Sequence, residues 1–445
     1  MENTDILIIG GSTAGITTAI SARRYYPDAK IVVIRREKQV LITCGIPYIF
    51  GTVGWPDRNL IPDTVLTKNN VGLTIDEVVS INKDMRIVET ISGRTFRYEK
   101  MVLATGSLPL VPAIPGVELD NVFTVRKDVE SLQKLLEALD QAKDLVIIGG
   151  GFIGLEFADE CKKRGIANVT VVEVLPHCLL LVCDDEICIC VEKKLSERGI
   201  KVLVHRKVES VLGNKKVGYV ELDNGQKIKA DVVILGIGVT PNIQLAQNAS
   251  LEVDKKEGIY VDEFMRTSNE NIFAAGDCTR KRCFFTRRPS FVRLASIATM
   301  EARVAGANLF RLRHRSESPI GVFGTVIGDL AIGSAGMTER GAKEAGFDVV
   351  TGEAEAPDKH PASIPGTRNL AVKLVFEKDT RVLLGGHIYG SMTAGKVANF
   401  IGILIQKRIR ADEIVTFQVC THPMLTASSI SHQVENAAEI ALTKL

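Results

Sequence analysis

The chain has 445 residues, 45% of them hydrophobic and 24% charged, with a net charge of +2. That length exceeds one hydrophobic core, so two or three domains are expected. The charge balance excludes a global field for nucleic acid or membrane, and no apolar run reaches the ~18 residues of a membrane helix. The polar start Met1-Glu2-Asn3-Thr4 leads straight into an apolar run at Ile6–Ile9, which leaves no room for a signal peptide. A cytoplasmic protein is therefore expected. Nine cysteines, an odd number, argue for reduced thiols, one of which is a candidate for reactivity.

In chain order, the first signal is Asp5-Ile-Leu-Ile-Ile-Gly-Gly-Ser-Thr-Ala-Gly15, and it returns as Asp144-Leu-Val-Ile-Ile-Gly-Gly-Gly-Phe-Ile-Gly154. Each copy is an apolar run, a Gly-rich turn and a helical pattern (15–25 and 153–164), followed by a second strand at Lys30–Ile34 or Val169–Val172. That order opens a dinucleotide-binding βαβ unit, so two nucleotide sites are expected. Lys100–Ser107 reads as a buried strand ending in a Gly turn, and Pro109, Pro112 and Pro115 then mark a domain crossing. Asp231–Asn242 is a strand with a second crossing, and Ile272–Asp277 a further strand ending in a polar turn. Beyond about residue 320 the pattern alternates (Leu370–Phe376, Val382–Ile388), with a helix near 394–407. That texture predicts an α+β module.

The second Gly motif is complete. Gly149 permits the tight turn, Gly151 lets a pyrophosphate approach, and Gly154 lets helix and strand pack. Glu173, 24 residues past Gly149, is placed to accept a bond from a ribose 2′-hydroxyl, and no basic residue adjoins it to hold a 2′-phosphate. NADH is therefore expected, with NADPH disfavoured. The first motif, Gly10-x-Ser12-x-x-Gly15, has Ser at the middle position, and Arg35 stands where an acid would hold ribose, with Glu37 two residues on. The bland reading of either motif is a tight turn without a ligand.

Cys44 lies in Thr43-Cys-Gly-Ile-Pro-Tyr48. Pro47 favours a helix start, and a thiolate at a helix N-terminus is stabilised by backbone N–H groups. The other reading is a buried structural cysteine. Cys178, Cys183, Cys188 and Cys190 with His177 fit no metal-ligand spacing, so no metal is expected and small buried apolar roles are preferred.

Together with Ala104-Thr-Gly106, Gly236-Ile-Gly-Val-Thr-Pro-Asn242 and Ile272-Phe-Ala-Ala-Gly-Asp277, these motifs resemble the pyridine nucleotide–disulfide oxidoreductases along essentially the whole chain. The resemblance implies an α/β fold of two Rossmann-like dinucleotide-binding domains plus a C-terminal α+β dimerisation domain. The implied boundaries are 1–115 and 243–320 for FAD, 116–242 for NAD(H), and 321–445 for dimerisation. In the FAD site it implies Gly10, Ser12, Thr13, Gly15 and Arg35, with Thr105 and Gly106 beside the pyrophosphate, Gly238, and Gly276-Asp277 at the ribityl chain. In the NADH site it implies Gly149, Gly151, Gly154 and Glu173, with Phe152 gating the nicotinamide pocket and Glu156 facing the nicotinamide.

Within the family the chain resembles the single-cysteine branch of NADH oxidases, NADH peroxidases and coenzyme A-disulfide reductases, because no second Cys follows Cys44 before Cys161. Cys-Gly-x-Pro-Tyr is the form seen in the coenzyme A-disulfide reductases. Two departures stand out. Thr13 replaces the His of the oxidases and peroxidases, and Cys420-Thr-His-Pro423 replaces the Tyr-Ala-Pro-Pro of the reductases. His422-Pro423 is similar to the catalytic His-Pro of the glutathione reductase type, which acts across a homodimer interface on the partner's Cys44, although Ala427 stands where its supporting Glu would be. The expectation is an FAD enzyme passing electrons from NADH through Cys44 to a small-molecule acceptor, a disulfide or sulfur compound, with His422 as acid. Arg23, Arg24 and Tyr48 are candidates for substrate contact. The alternative is an NADH oxidase that reduces oxygen.

Overall fold

The computed structural model describes all 445 residues. They divide into two compact units: Met1–Pro112 with Phe123–Gln141 and Gly238–Pro319, and Ala113–Val122 with Ala142–Ile237 and Ile320–Leu445.

In the first unit the strand Glu2–Ile9 pairs in parallel with Ile31–Arg35 on one side and Thr95–Leu103 on the other. The strand Gly72–Ile75 extends the sheet beyond Ile31–Arg35, and Ile272–Ala274 adds in parallel to the end of Thr95–Leu103. An antiparallel hairpin, Val78–Asn82 and Ile87–Thr90, completes it. The central strand is a continuous apolar run because both faces are covered. Ile6 and Ile8 enter one core, with Ala19, Ala22, Ala302 and Ala305, while Leu7 and Ile9 enter the other. The helix Thr13–Tyr25 packs closely on the helix Ala295–Asn308 through small residues. A Cβ on Gly306 would lie 2.8 Å from both Ser21 Cβ and Thr18 O.

The second unit contains a parallel run in the order Val232–Leu235, Asp144–Ile148, Asn168–Val172, Ile200–Leu203. The helix Phe152–Arg164 follows the second Gly turn and ends at Gly165, whose φ of 106° caps it in the left-handed form. The C-terminal sheet is antiparallel, in the order Val322–Ile327, Leu330–Gly336, Leu383–Gly390, Asn369–Glu377, Val349–Pro357. The helices Ala394–Gln406 and Gln433–Leu442 accompany it. Alternation was expected in two of its three inner strands. Instead Leu370–Phe376 and Leu383–Ile388 are buried throughout. Both faces are covered: Gly386 lies against Ile401, and on the other side Lys373 and His387 meet Asp184.

Candidate functional site

The first nucleotide turn explains its own irregular motif. Gly10 has φ 109°, and a Cβ there would lie 2.1 Å from Ala104 O. A Cβ on Gly15 would lie 1.8 Å from Gly10 O. Neither position tolerates a side chain. Ser12, the N-cap of the Thr13–Tyr25 helix, has φ −97°, an ordinary conformation for any residue, so the missing middle glycine costs no backbone strain. Thr13 is the helix's first residue.

Arg35 is not an open ribose ligand. Its side chain is 1% exposed and pairs with Asp63 through both carboxylate oxygens at 2.6 and 2.9 Å. It also donates to Glu37 O and Lys38 O. A Cβ on Gly11 would come 2.5 Å from its Cδ, so the turn lies directly on this side chain. Asp63, 45% exposed, brings a carboxylate to the end of the Ile31–Arg35 strand. No spacing rule points to Asp63, because its partner lies 28 residues away.

The remaining segments of this unit converge by backbone pairing. Thr105 Oγ1 donates to Asn242 O at 2.7 Å, and Asn242 N donates to Gly106 O. Leu110 N donates to Gly238 O, and Ser107–Pro109 pairs antiparallel with Val239–Pro241. Gly106 and Gly238 have positive φ and open space where a Cβ would stand. Asp277 accepts from Ser107 Oγ at 2.8 Å and from Lys127 Nζ at 3.3 Å. Burial alone would raise its carboxyl, but Lys127 and Ser107 outweigh that and hold it below the usual carboxylate range. A charged acceptor at a strand end, tight glycines at a helix N-terminus and open glycine faces are the donor set that FAD requires. Ser107 and Lys127 were not evident from motif reading.

Cys44 is exposed. The expected helix N-terminus is not there; the residue lies in a single 3-10 turn, Thr43–Gly45, followed by another, Pro47–Phe50. The N–H groups of Gly45 and Ile46 already bond to Ile42 O and Thr43 O, so a helix dipole does not supply the thiol's activation. The turn is held instead by the buried Asn59, whose amide donates to Ile42 O. A Cβ on Gly45 would lie 2.1 Å from Asn59 Oδ1, which explains why glycine follows the cysteine. Tyr48 is half-buried in the second turn. Arg23 is committed to structure: its guanidinium donates to the carbonyls of Asn69, Tyr26, Pro27, Ala29 and Asn70. Arg24 is exposed.

In the second unit the glycine geometry repeats. Cβ atoms on Gly149 and Gly154 would lie 2.6 Å from Gly236 O and 2.0 Å from Gly149 O, while Gly151 faces open space. Glu173 is 9% exposed. Its two carboxylate oxygens accept from Gly150 N at 2.6 Å and Leu175 N at 2.8 Å. One correction concerns its surroundings: Arg206 N bonds to Glu173 O and His205 N to Leu175 O, so the chain does bring basic residues beside it from the loop after Ile200–Leu203. Phe152 stacks edge-on against Phe323, with ring centroids 4.7 Å apart. Glu156 accepts from Thr325 Oγ1 at 2.8 Å, and burial pushes its carboxyl up to about 7. Phe323 and Thr325 come from a strand that no nucleotide motif marks.

The raised Glu156 carboxyl sets a pH dependence. The folded chain binds a proton there that the unfolded chain has already released, so stability falls as pH rises from the ordinary value of 4.5 to about 7. Glu156→Gln should therefore leave stability unchanged near pH 4 and raise it above pH 7, by at most about 3 kcal/mol. Urea unfolding of both proteins at the two pH values measures this.

Of the cysteine cluster, Cys178, Cys183 and Cys188 are buried and Cys190 is partly exposed; Cys190 thus departs from the expected buried role. Burial pushes the Cys188 thiol up to about 12. Cys178 packs under the second Gly turn, its Sγ 2.6 Å from where a Gly150 Cβ would stand. No three His, Cys, Asp or Glu side chains are grouped to hold a metal ion. His422 is exposed, its backbone N–H bonded to Thr426 Oγ1 and its Nδ1 accepting from Met424 N at 3.3 Å. His360 ties this loop down through Thr426 O and Pro423 O.

Fold and site together define a two-dinucleotide flavin oxidoreductase with a thiol in reach of solvent. The chain belongs to the pyridine nucleotide-disulphide oxidoreductase family: the family matches residues 4–302 and its dimerisation domain residues 322–430. It is 33% identical to a protein named NADH oxidase from Methanocaldococcus jannaschii, over 99% of each chain. It is 32% identical to the NAD(P)H coenzyme A polysulfide/persulfide reductase of Pyrococcus horikoshii, over 87% of each. Its structure superposes on the NAD-dependent persulfide reductase of A. fulgidus with a TM-score of 0.92 at 30% identity, covering 99% of this chain and 83% of that one. No helix is long and apolar enough to cross a membrane.

Proposed function

We propose that this chain, as a cytoplasmic homodimer, passes electrons from NADH through FAD and Cys44 to a small disulfide or sulfur compound, coenzyme A disulfide or polysulfide first. The observation that carries this is the exposed Cys44 in a turn braced by the buried Asn59. FAD, when bound, relays two electrons between a nicotinamide and the thiol. Gly149, Gly151 and Gly154 receive the NADH pyrophosphate, Glu173 orients its ribose side, and Phe152 and Glu156 border its nicotinamide.

The Cys44 thiolate attacks one sulfur of the acceptor, a Cys44–S bond forms, and the acceptor's S–S bond breaks. The departing thiolate takes a proton, for which His422 is the assigned acid. Two electrons originating in NADH and one further proton then break the mixed disulfide, returning Cys44 as thiolate and releasing the second thiol. The relatives named for coenzyme A-linked persulfide and sulfur reduction support this order of acceptors. Reduction of oxygen is the second reading, supported by the relative named NADH oxidase; Thr13, which cannot exchange a proton near neutrality, weighs against it. Arg24 and Tyr48 remain the substrate-contact candidates, since Arg23 is engaged by carbonyls.

Steady-state NADH turnover with coenzyme A disulfide, polysulfide and oxygen, each in turn, tests the order. A sulfur acceptor is expected to give the highest kcat/KM. Oxygen as the fastest acceptor would overturn the reading in favour of the oxidase.

A further inference from the structure

Beneath the Gly276-Asp277 turn lies an ion pair that no motif marks. Lys281 Nζ and Glu301 Oε2 are 2.8 Å apart, with side chains 1% and 5% exposed. Glu301, from the helix Ala295–Asn308, accepts from Gly276 N at 2.9 Å and from Thr279 Oγ1 at 3.0 Å. Lys281 Nζ donates to Gly276 O at 2.6 Å and to Thr279 Oγ1. The N–H of Gly276 therefore ends on Glu301, and its C=O accepts from Lys281 Nζ as well as from Thr279 N at 3.0 Å. Gly276 has φ 89°, and a Cβ there would come 2.8 Å from the Cβ of Ala14 and 3.6 Å from that of Ala298. The turn that carries Asp277 is thus seated between the first turn of the Thr13–Tyr25 helix and the helix that supplies Glu301.

We propose that Lys281 and Glu301 are positioning residues for FAD, acting through Asp277; the inference rests on the assignment of Asp277 to the cofactor. Burying two charges costs about what their pairing returns, and two apolar side chains of similar volume commonly hold a core as well. What apolar side chains cannot do is meet the N–H of this left-handed glycine, or add a charged donor to its C=O, and so fix the residue after it. The strand Ile272–Ala274 ends just before this turn; Ala275 N still donates to Leu103 O and Ile259 N to Cys278 O on either side of it, and the N–H of Gly276 between them is met by the Glu301 side chain.

The test uses the holoenzyme. FAD release is followed on dilution by the recovery of free-flavin fluorescence, with circular dichroism showing that each sample is folded. Glu301→Gln, Lys281→Met and the double variant Lys281→Met/Glu301→Leu are compared with Asp277→Ala. The double variant leaves no uncompensated charge, so it is the one expected to fold as well as wild type. Each variant is expected to release FAD about tenfold faster or more, or to carry none through purification, as loss of charged hydrogen bonds at the turn requires. If Asp277→Ala loses FAD while the folded double variant releases it within about twofold of wild type, the positioning role is overturned and the pair is plain core. If Asp277→Ala also holds FAD at the wild-type rate, the assignment of Asp277 falls and the positioning role with it.

Discussion

Cys44→Ser should reduce NADH-dependent turnover of coenzyme A disulfide by about three orders of magnitude, since removing a covalent nucleophile costs on that scale or more. The hydroxyl is a poor nucleophile near neutral pH and cannot form the mixed disulfide on which the electron transfer depends. The substitution is nearly isosteric and the residue is exposed, so the fold should not move. The turn's own support, Asn59 on Ile42 O, does not involve the sulfur. Bleaching of the flavin absorbance by NADH, read by stopped flow, should persist at the wild-type rate, because the second Gly motif, Phe152 and Glu156 are untouched. The combination of intact flavin reduction and lost sulfur turnover is the expected result. Sulfur reduction that survives in Cys44→Ser would show that the thiol route is wrong. Loss in Cys44→Ser without any change in His422→Ala would keep the thiol and remove His422 from its role as acid.

Lys373→Met should destabilise the chain by about 3–5 kcal/mol, the cost of breaking a buried ion network from one side. Lys373 is 10% exposed and lies 3.1 Å from Asp184, 2.5 Å from Glu186 and 2.9 Å from Glu339. Burial opposes its charge, but the bonds from Glu186 and Glu339 outweigh that and raise it above the ordinary lysine value. A raised folded value means that its contribution is fully present below the unfolded value of 10.5 and is lost as pH rises through the higher folded one. At every pH from 5 to 9 the wild-type contribution is therefore constant. In the variant, Asp184, 5% exposed, is left without its lysine partner. Its neighbour His387, fully buried 3.7 Å away, is pushed by burial towards its neutral form and cannot replace the lysine. Urea unfolding at pH 5 and pH 8 should show a loss at both, larger at pH 8, where a stranded carboxylate cannot take up a proton. A loss below about 1 kcal/mol, the range of surface pairs, would mean that the network relaxes into solvent.

The two Gly motifs were legible because their requirements are local. A positive φ at Gly10 and Gly149, and a backbone oxygen about 2 Å from the missing Cβ of Gly15 and Gly154, exclude every other residue at those spacings. The same rule shows why Ser12 was a weak objection: its backbone makes no such demand. Cys44 was legible as a lone cysteine before Gly-x-Pro, but its setting was misread. Pro47 does begin a turn, yet the segment closes as two 3-10 turns rather than a helix. A proline preference reports φ at one residue and says nothing of how many turns follow. Two inner strands of the C-terminal sheet were misread as half-exposed for a related reason. Period-two reading assumes one wet face, and here both faces are covered.

What the sequence by itself determined was the pair of βαβ openings and the order of the segments around them, with Cys44 marked out as a lone cysteine before Gly-x-Pro. Each depends on residue type at short, fixed spacing, where chain geometry decides the outcome. Only the tertiary structure decided which polar side chains hold those elements in place. Asp63 neutralises Arg35, Asn59 braces Cys44, Thr325 meets Glu156, and the Lys281–Glu301 pair holds Gly276. The bonded residues lie from 17 to 169 positions apart along the chain. A buried polar group must find some partner, but which one it finds depends on which elements pack together, and no local spacing carries that information.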